Sequence, residues 1–336
     1  MEKILTVTIP AYNMEKYIRQ TLDSFIEIEV LNSIEVIVVD DGSNDATAQI
    51  AEEYHRKYAD TFYVISKENG GQGSAINKGI KAATGKYFKV VDGDDWVDTA
   101  SFAKLVQYLK KTDSDVVLHN SYRANNNTGA VRPVDISCGF KYNRRYTFNE
   151  VYQKVQFGLG WSTIKTGILK DNNIKLIENS FHSDMEYIIF PVPFIKTIEY
   201  LDLYLYMYRI GRPQQATCIE EMRNHLPEHD MVLYRMVDFL NKYNVSPTAE
   251  KGKVDYLVRR IAKMYSAHIR ILLSFPVNEF LLVKEISEAE EKMKNRCRDV
   301  YNAAGGDMDI KVLRKTNYRL AAILHFMLIL YKMRRR

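Results

Sequence analysis

Asp92-Gly93-Asp94-Asp95-Trp96 places three carboxylates within four consecutive residues, directly after the apolar run that ends at Val91. Carboxylates this close repel one another and resist ionisation unless a cation offsets them. A hard divalent ion suits the set, because Mg²⁺ or Mn²⁺ takes one or two carboxylates and completes its shell from phosphate oxygens and water. Two other readings of the run fail on residue type. An EF-hand loop needs Gly at its sixth position, where Val97 stands, and a phosphatase Asp-x-Asp-x-Thr/Val needs Thr or Val where Trp96 stands.

Three more polar groups have the same placement. Pro10-Ala11-Tyr12-Asn13 closes a first apolar run and Asp40-Asp41-Gly42-Ser43 closes a second. Asn69-Gly70-Gly71-Gln72-Gly73-Ser74 follows a third and opens a helix near Ala75, where backbone N–H groups can receive an anion such as a diphosphate. Each group alone reads equally well as a turn or a cap. The glycine run is neither a dinucleotide fingerprint, since Ile76 stands at the third glycine position, nor a P-loop, since no Gly-Lys-Ser/Thr ends it.

The elements that must hold these groups are legible. Ile4 to Ile9, Ile34 to Val39, Phe62 to Ile65, Tyr87 to Val91 and Val116 to Leu118 read as short strands rich in β-branched residues. Between them run helical patterns, Ile18, Leu22 and Phe25 among them, with Ser43 or Asp45 as a cap before Ala48 to Tyr54. Alternation of this kind predicts an α/β, doubly wound sheet, in which ligands bind beyond the carboxyl ends of the strands. Residues 121 to 150 read as a connecting excursion, and Thr197 to Arg209 as a late strand. Beyond residue 215 the pattern turns helical, with an apolar stripe of Leu257, Ile261, Tyr265, His268 and Leu272 and one helix over Leu281 to Tyr301.

The ordered set Pro-Ala-Tyr-Asn at 10–13, Val-Val-Asp-Asp-Gly-Ser at 38–43, Asn-Gly-Gly at 69–71, Ala-Ala-Thr-Gly-Lys-Tyr at 82–87 and Asp-Gly-Asp-Asp-Trp at 92–96 resembles the family 2 glycosyltransferases. These are inverting enzymes with the GT-A fold, here of the bacterial cell-surface or exopolysaccharide type. The resemblance is close over residues 4 to 120, weaker over 146 to 215 and absent beyond. It implies a GT-A domain over 1–215, with a nucleotide-sugar half at 1–120 and an acceptor half at 121–215; the helical pattern beyond makes 216–336 a second domain. The implied reaction moves a hexosyl or N-acetylhexosaminyl group from a nucleotide sugar, a UDP-sugar by expectation, to a saccharide or lipid-linked saccharide, with Mn²⁺ or Mg²⁺ as cofactor.

Roles follow from the resemblance residue by residue. Tyr12 would stack on the base, with Pro10, Ala11 and Asn13 shaping that wall, and Asp41 would accept from uracil N3–H. Gly71 and Ser74 would contact the donor. Asp92 and Asp94 form the Asp-x-Asp element with Gly93 between them; Asp94 is the first choice for the metal, and Asp92 serves metal or ribose. Asp95 faces the donor sugar or caps the next helix. The general base of an inverting transfer maps best to Asp184, with Glu186 as the alternative and an N-cap of a Met185 to Phe194 helix as the structural reading of Asp184. Arg209 or Arg212 would neutralise the leaving phosphates, and Trp161 would sit near the acceptor or serve packing alone. Many family members carry Arg in the glycine-rich segment; Ile76 replaces it here, and Lys78 points about 100° away on a helix.

Composition narrows the classes. The chain has 336 residues, 46% hydrophobic and 26% charged, enough apolar content for a packed core and two domains. Cys138, Cys218 and Cys297 make neither a disulfide framework nor a metal cluster, as expected of a cytoplasmic protein. Net charge is +5, with 22 basic and 15 acidic residues from 216 onward against 25 and 27 before. A slightly acidic first part argues against a nucleic-acid partner. After Asp309 come eight Lys or Arg and no acid, flanking the apolar run Leu320 to Tyr331. As a helix that run spans about 18 Å, short of the about 30 Å bilayer core. Residues 311–336 therefore read as a basic anchor on an anionic membrane surface, peripheral on the inner face, with internal packing or a homo-oligomer contact as alternatives. A catalytically silent sugar-nucleotide-binding module and a nucleotidyltransferase are the competing functions. The intact Asp-x-Asp opposes the first, and the absence of a basic glycine loop after the first strand opposes the second.

Overall fold

The computed structural model describes residues 2–212, 219–275, 279–321 and 323. The chain divides into two compact units, Met1–Pro213 and Gln214–Arg336.

The first unit is built on a twisted mixed sheet. Its amino-terminal part alternates β1 (Leu5–Ala11), α1 (Ile18–Asp23), β2 (Ile34–Asp40), α2 (Thr47–Lys57), β3 (Phe62–Ser66), α3 (Gly71–Ala82) and β4 (Tyr87–Val90). Every residue of β1, β2 and β4 is buried, which is why these strands read as continuous apolar runs; both faces are covered by helices. β1 lies between β2 and β4, parallel to both, with Ala11 opposite Asp40 and Thr8 opposite Val90, so their carboxyl ends finish side by side. At the other end the buried Glu35 accepts from the Thr6 hydroxyl at 2.5 Å and from the Thr84 and Gly85 N–H groups at 2.5 and 3.2 Å, which locks the register.

The rest of the unit completes the sheet with β5 (Trp96–Val97), α4 (Thr99–Leu109), β6 (Val116–Asn125), β7 (Val131–Val134), β8 (Arg145–Thr147), α5 (Phe148–Val151), β9 (Ser162–Lys165), α6 (Thr166–Asp171), α7 (Ser183–Ile189) and β10 (Thr197–Ile210). The strand order is β3-β2-β1-β4-β9-β6-β10-β5, with β9 antiparallel to both its neighbours and β5 antiparallel to β10. This is the doubly wound mixed sheet expected, with two local differences. The excursion after residue 120 is not a bare connection: β6 continues to Asn125 and hairpins into β7. The helix carrying Asp184 runs over Ser183–Ile189 and not to Phe194, because Pro191 has no N–H to continue it and a 3₁₀ turn follows.

The second unit is helical: α8 (Ile219–Asn224), α9 (Leu226–Asn244), α10 (Lys251–Ser274), α11 (Glu279–Arg296), α12 (Arg298–Ala304) and α13 (Met308–Lys315). All five residues of the stripe expected on α10 are buried. The single helix expected over 281 to 301 is broken at Cys297, whose backbone is extended while Arg296 is tied to Asp238 and its carbonyl to Asn241. Arg314, one of the cations expected on a membrane face, is instead internal, bonded to Glu290 and the Tyr301 carbonyl. No helix among the described residues is long and apolar enough to cross a membrane. Most of the apolar run Leu320 to Tyr331 and the basic end beyond it lie outside the described residues.

Candidate active site

The acidic turn follows the end of β4, where Gly93 leaves room for a close approach. A β-carbon at Gly93 would come within 3.1 Å of the Pro10 carbonyl and 3.4 Å of the Ala11 methyl. The turn is thus pressed against the end of β1, and the Thr21 hydroxyl fixes it by donating to the Gly93 and Asp95 carbonyls at 3.1 and 2.6 Å.

Its three carboxylates have different environments. Asp92 is half-buried; it accepts from Gln72 Nε2 at 2.8 Å and, weakly, from the Tyr206 hydroxyl at 3.4 Å. Burial first, and then the charge of Asp94, push its carboxyl up to about 7. Asp94 is 6% exposed, raised by burial and held back by Arg212, whose Nη2 pairs with its Oδ2. Asp95 is 1% exposed and committed elsewhere: Oδ2 accepts from the Tyr206 hydroxyl at 2.6 Å and Oδ1 from the Arg209 N–H at 2.7 Å. Neither role expected for Asp95 matches this placement, since it faces β10 and the cap of α4 is Asp98. Irregular register in β10 between Leu201 and Tyr206 re-aims the strand so that Tyr206 and Arg209 meet this turn.

The opposite wall comes from β1 and β2. Tyr12 is 44% exposed, an open aromatic shelf at the strand end. Its loop is fastened to the next one, with the Asn13 N–H donating to Ser43 Oγ at 3.0 Å and the Asn44 N–H to Asn13 Oδ1 at 2.9 Å. Asp41 lies deeper, 3% exposed. Lys67 Nζ and the Gly70 N–H reach its Oδ1 at 2.5 and 3.0 Å, and the Gly71 N–H reaches Oδ2 at 2.7 Å. The amides expected to receive a ligand anion at Gly70 and Gly71 are therefore taken by the chain's own carboxylate, and Ser74 is buried behind them. A negative charge at a helix start is favourable, and Asp41 supplies it to α3.

The glycine run has a second effect. A β-carbon at Gly73 would sit 2.0 Å from the Ile177 carbonyl oxygen and 2.8 Å from the Ser183 β-carbon. Asn77 clamps the same segment, donating to the Leu176 carbonyl and accepting its N–H, both at 2.9 Å. The start of α3 thus packs directly against the stretch that leads into α7. Asp184 lies in the first turn of that helix, half-buried, and its charge is felt at Asp92. His182, not Asp184, is the cap residue. Glu186, the alternative base, is fully buried and accepts the Ile177 N–H at 2.6 Å, a structural tie. Ile76 is in the core and Lys78 is exposed, so neither places a cation in the pocket.

Sequence reasoning missed four residues: Gln72, Tyr206, Lys67 and Lys89. Lys89 was the most visible, a lone lysine inside an apolar strand. It is fully buried, and burial draws its ammonium down to about 7. Its Nζ donates to the Gly160 carbonyl and to His119 Nε2 at 2.8 Å, under the face of the Tyr206 ring. Trp161, next to Gly160, is half-exposed and bonded through Nε1 to the Gln156 carbonyl at 3.0 Å.

No group of three or more His, Cys, Asp or Glu side chains among the described residues converges as a self-sufficient metal site. Asp92 and Asp94, two carboxylates one residue apart at a strand end, fit a cation that obtains its remaining ligands from a bound diphosphate; burial is what raises both carboxyls.

Known proteins resemble this chain in sequence and in fold. Residues 6–168 match the family model described as glycosyl transferase family 2. The chain is 28% identical over 283 residues to the uncharacterized glycosyltransferase EpsJ of Bacillus subtilis (strain 168), covering 80% of this chain and 78% of that protein. Among solved structures, residues 1–349 of TarS from S. aureus superpose with a TM-score of 0.65 at 21% identity, over 95% of this chain and 90% of that one; the complex of the same protein with UDP-GlcNAc gives 0.54 at 22%, over 89% and 91%. The mannosyltransferase PcManGT of Pyrobaculum calidifontis, in complex with GDP-Man and Mn²⁺, gives 0.51 at 16%, over 98% of this chain and 86% of that one. At these identities the solved structures establish the GT-A fold. With the family model and the curated relative taken together, the chain is a glycosyltransferase whose residues 6–168 belong to glycosyl transferase family 2.

Proposed function

We propose that the protein transfers a hexosyl or N-acetylhexosaminyl group from a uridine-linked nucleotide sugar to a saccharide or lipid-linked saccharide in surface polysaccharide synthesis, with inversion and with a divalent cation. The observation that carries this reading is the pairing of Asp92 and Asp94 at one strand end with the open Tyr12 ring at the neighbouring one, and with Asp184 within electrostatic reach. TarS, which shares the fold, has been solved with UDP-GlcNAc bound.

Tyr12 takes the base by stacking, and Pro10, Ala11 and Asn13 form the edge of that shelf. Asp41 holds the glycine turn against the base side through its bonds to Gly70 and Gly71, and the accepting capacity left on Oδ2 is offered to the base N–H. Asp92 and Asp94 would hold Mn²⁺ or Mg²⁺, and the chemistry the ion would supply is charge neutralisation of the leaving nucleoside diphosphate. Gln72 and Tyr206 orient the Asp92 carboxylate. Asp184, ionised, accepts the proton of the acceptor hydroxyl as its oxygen bonds to the anomeric carbon. The bond from that carbon to the phosphate oxygen breaks, and its electron pair leaves with the diphosphate. Residues 1–120 thus carry the base and metal contacts of the donor, and the acceptor's base comes from 121–215.

A donor panel tests the reading. With Mn²⁺ present, uridine-linked sugars are expected to release nucleoside diphosphate, and GDP- or dTDP-linked sugars are not. Preference for a non-uridine donor would refute the role given to Asp41.

The basic end is proposed to hold the enzyme on an anionic membrane that carries its acceptor. Ile310 and Leu313 are buried and Arg314 is internal, so a cut at 311 would damage the helical unit itself. Truncation after Ile323 is the cleaner test. It is expected to leave the thermal transition unchanged and to abolish co-sedimentation with vesicles rich in anionic lipid. Retained sedimentation removes the anchor from residues 324–336.

A further inference from the structure

Two arginines three residues apart, at the end of β10, are held in opposite ways. Arg209 is 8% exposed and every arm of its guanidinium is spoken for. Nε donates to the Asp94 carbonyl at 2.7 Å, Nη2 to Gln20 Oε1 at 2.7 Å and Nη1 to Asn126 Oδ1 at 3.2 Å, with the group stacked between Trp96 and Tyr17 at 4.6 and 4.8 Å from the ring centres. Leaving that cage would break three hydrogen bonds and two ring contacts, so Arg209 is a fixed part of the wall.

Arg212 has one strong tie, the pair of its Nη2 with Asp94 Oδ2, and a looser contact with the Tyr17 ring at 5.4 Å. Its buried Nε has no hydrogen-bond partner among the described residues. Between the two arginines stands Gly211, with φ +84, a left-handed conformation that glycine adopts freely and that marks a change of chain direction. Its carbonyl accepts from Asn127 Nδ2 at 3.1 Å, which holds the chain at the residue before Arg212.

The carboxylate that Arg212 holds is the one assigned above to the cation. A divalent ion on the oxygen that Nη2 holds would meet the guanidinium charge at close range, so the two compete for Oδ2. We propose that Arg212 is an exchangeable counter-ion of Asp94: it gives the carboxylate up when the divalent ion binds and turns to the oxygens of the donor's diphosphate. This rests on the reading of Asp94 as a metal ligand. It also has a chemical logic. Guanidinium binds phosphate in the same forked manner as carboxylate, so the group moves between two partners of one geometry, and the buried carboxylate is never left without a positive neighbour. Cation binding and the contact of Arg212 with the phosphates become one event.

The test compares the unaltered protein with R212Q and D94N in two titrations: Mn²⁺ alone, followed by the electron paramagnetic resonance of the free ion, and UDP at saturating Mn²⁺. R212Q is expected to bind Mn²⁺ about tenfold tighter, the factor a competing ion pair of ordinary strength imposes, and UDP about tenfold more weakly. D94N is expected to lose Mn²⁺. If R212Q shows unchanged or weaker Mn²⁺ affinity while D94N has lost the ion, the exchange is overturned and Asp94 stands as a ligand. If D94N keeps full Mn²⁺ affinity, the metal reading falls and the exchange with it. Unchanged UDP affinity in R212Q overturns the move to the diphosphate.

Discussion

Replacing Asp184 by Asn is expected to lower transfer by about 10³-fold, within the span general-base catalysis contributes, while changing donor affinity less than about twofold. Asn keeps the shape and hydrogen-bonding reach of the side chain but cannot take a proton, so the loss reports chemistry and not folding. The expectation is sharp because the neighbouring acid offers no rescue. Glu186 is buried to the last atom and holds the Ile177 N–H, and it lies two positions on, where a helix turns it away from the face Asp184 uses. Initial rates with a competent acceptor, paired with calorimetric titration of UDP, separate the two effects. Transfer within tenfold of the unaltered enzyme would take the base role away from Asp184. Loss of activity in Glu186→Gln accompanied by a lowered thermal transition is what the Ile177 tie leads one to expect, and it would not transfer the role.

Asp94→Ala carries the other large effect: transfer falls by about 10³-fold or more, reflecting the several kcal/mol a bound cation supplies, and Mn²⁺-dependent nucleotide binding disappears. The variant also removes the partner of Arg212, so its melting temperature must be measured alongside. Asp94→Asn, which keeps the volume, guards against a folding artefact. Undiminished turnover in both variants would sink the assignment of Asp94 to the metal.

Much of the fold was open to reading because buried parallel strands write themselves as unbroken apolar runs. β1, β2 and β4 are examples, each with a polar cluster at its carboxyl end. The carboxylates of the site were visible for the same reason: three of them at one strand end cannot be a core. What escaped was the pairing of those charges. Nothing in Asp41-Gly42 tells that its carboxylate will spend itself on amides thirty residues away, or that Asp95 will be absorbed by Tyr206 and Arg209. Such partners come from distant strands, and their meeting depends on an irregular register in β10 that no local pattern announces. The break at Cys297 escaped likewise, because the apolar periodicity of 281 to 301 runs straight through it.

Gly73 has a consequence for how the two substrates meet. The start of α3 sits on the donor side through Asp41 and Gln72, and its outer surface bears on the segment that delivers Asp184. On the roles proposed above, the thickness of that helical turn is the gauge between acceptor and donor, and it is set by a residue with no side chain. Any larger residue there acts as a shim. It forces backbone against backbone, and a displacement of about 1 Å between reacting groups is enough to cost about 10²-fold in rate. On that reading the reaction distance depends on the absence of a single methyl group.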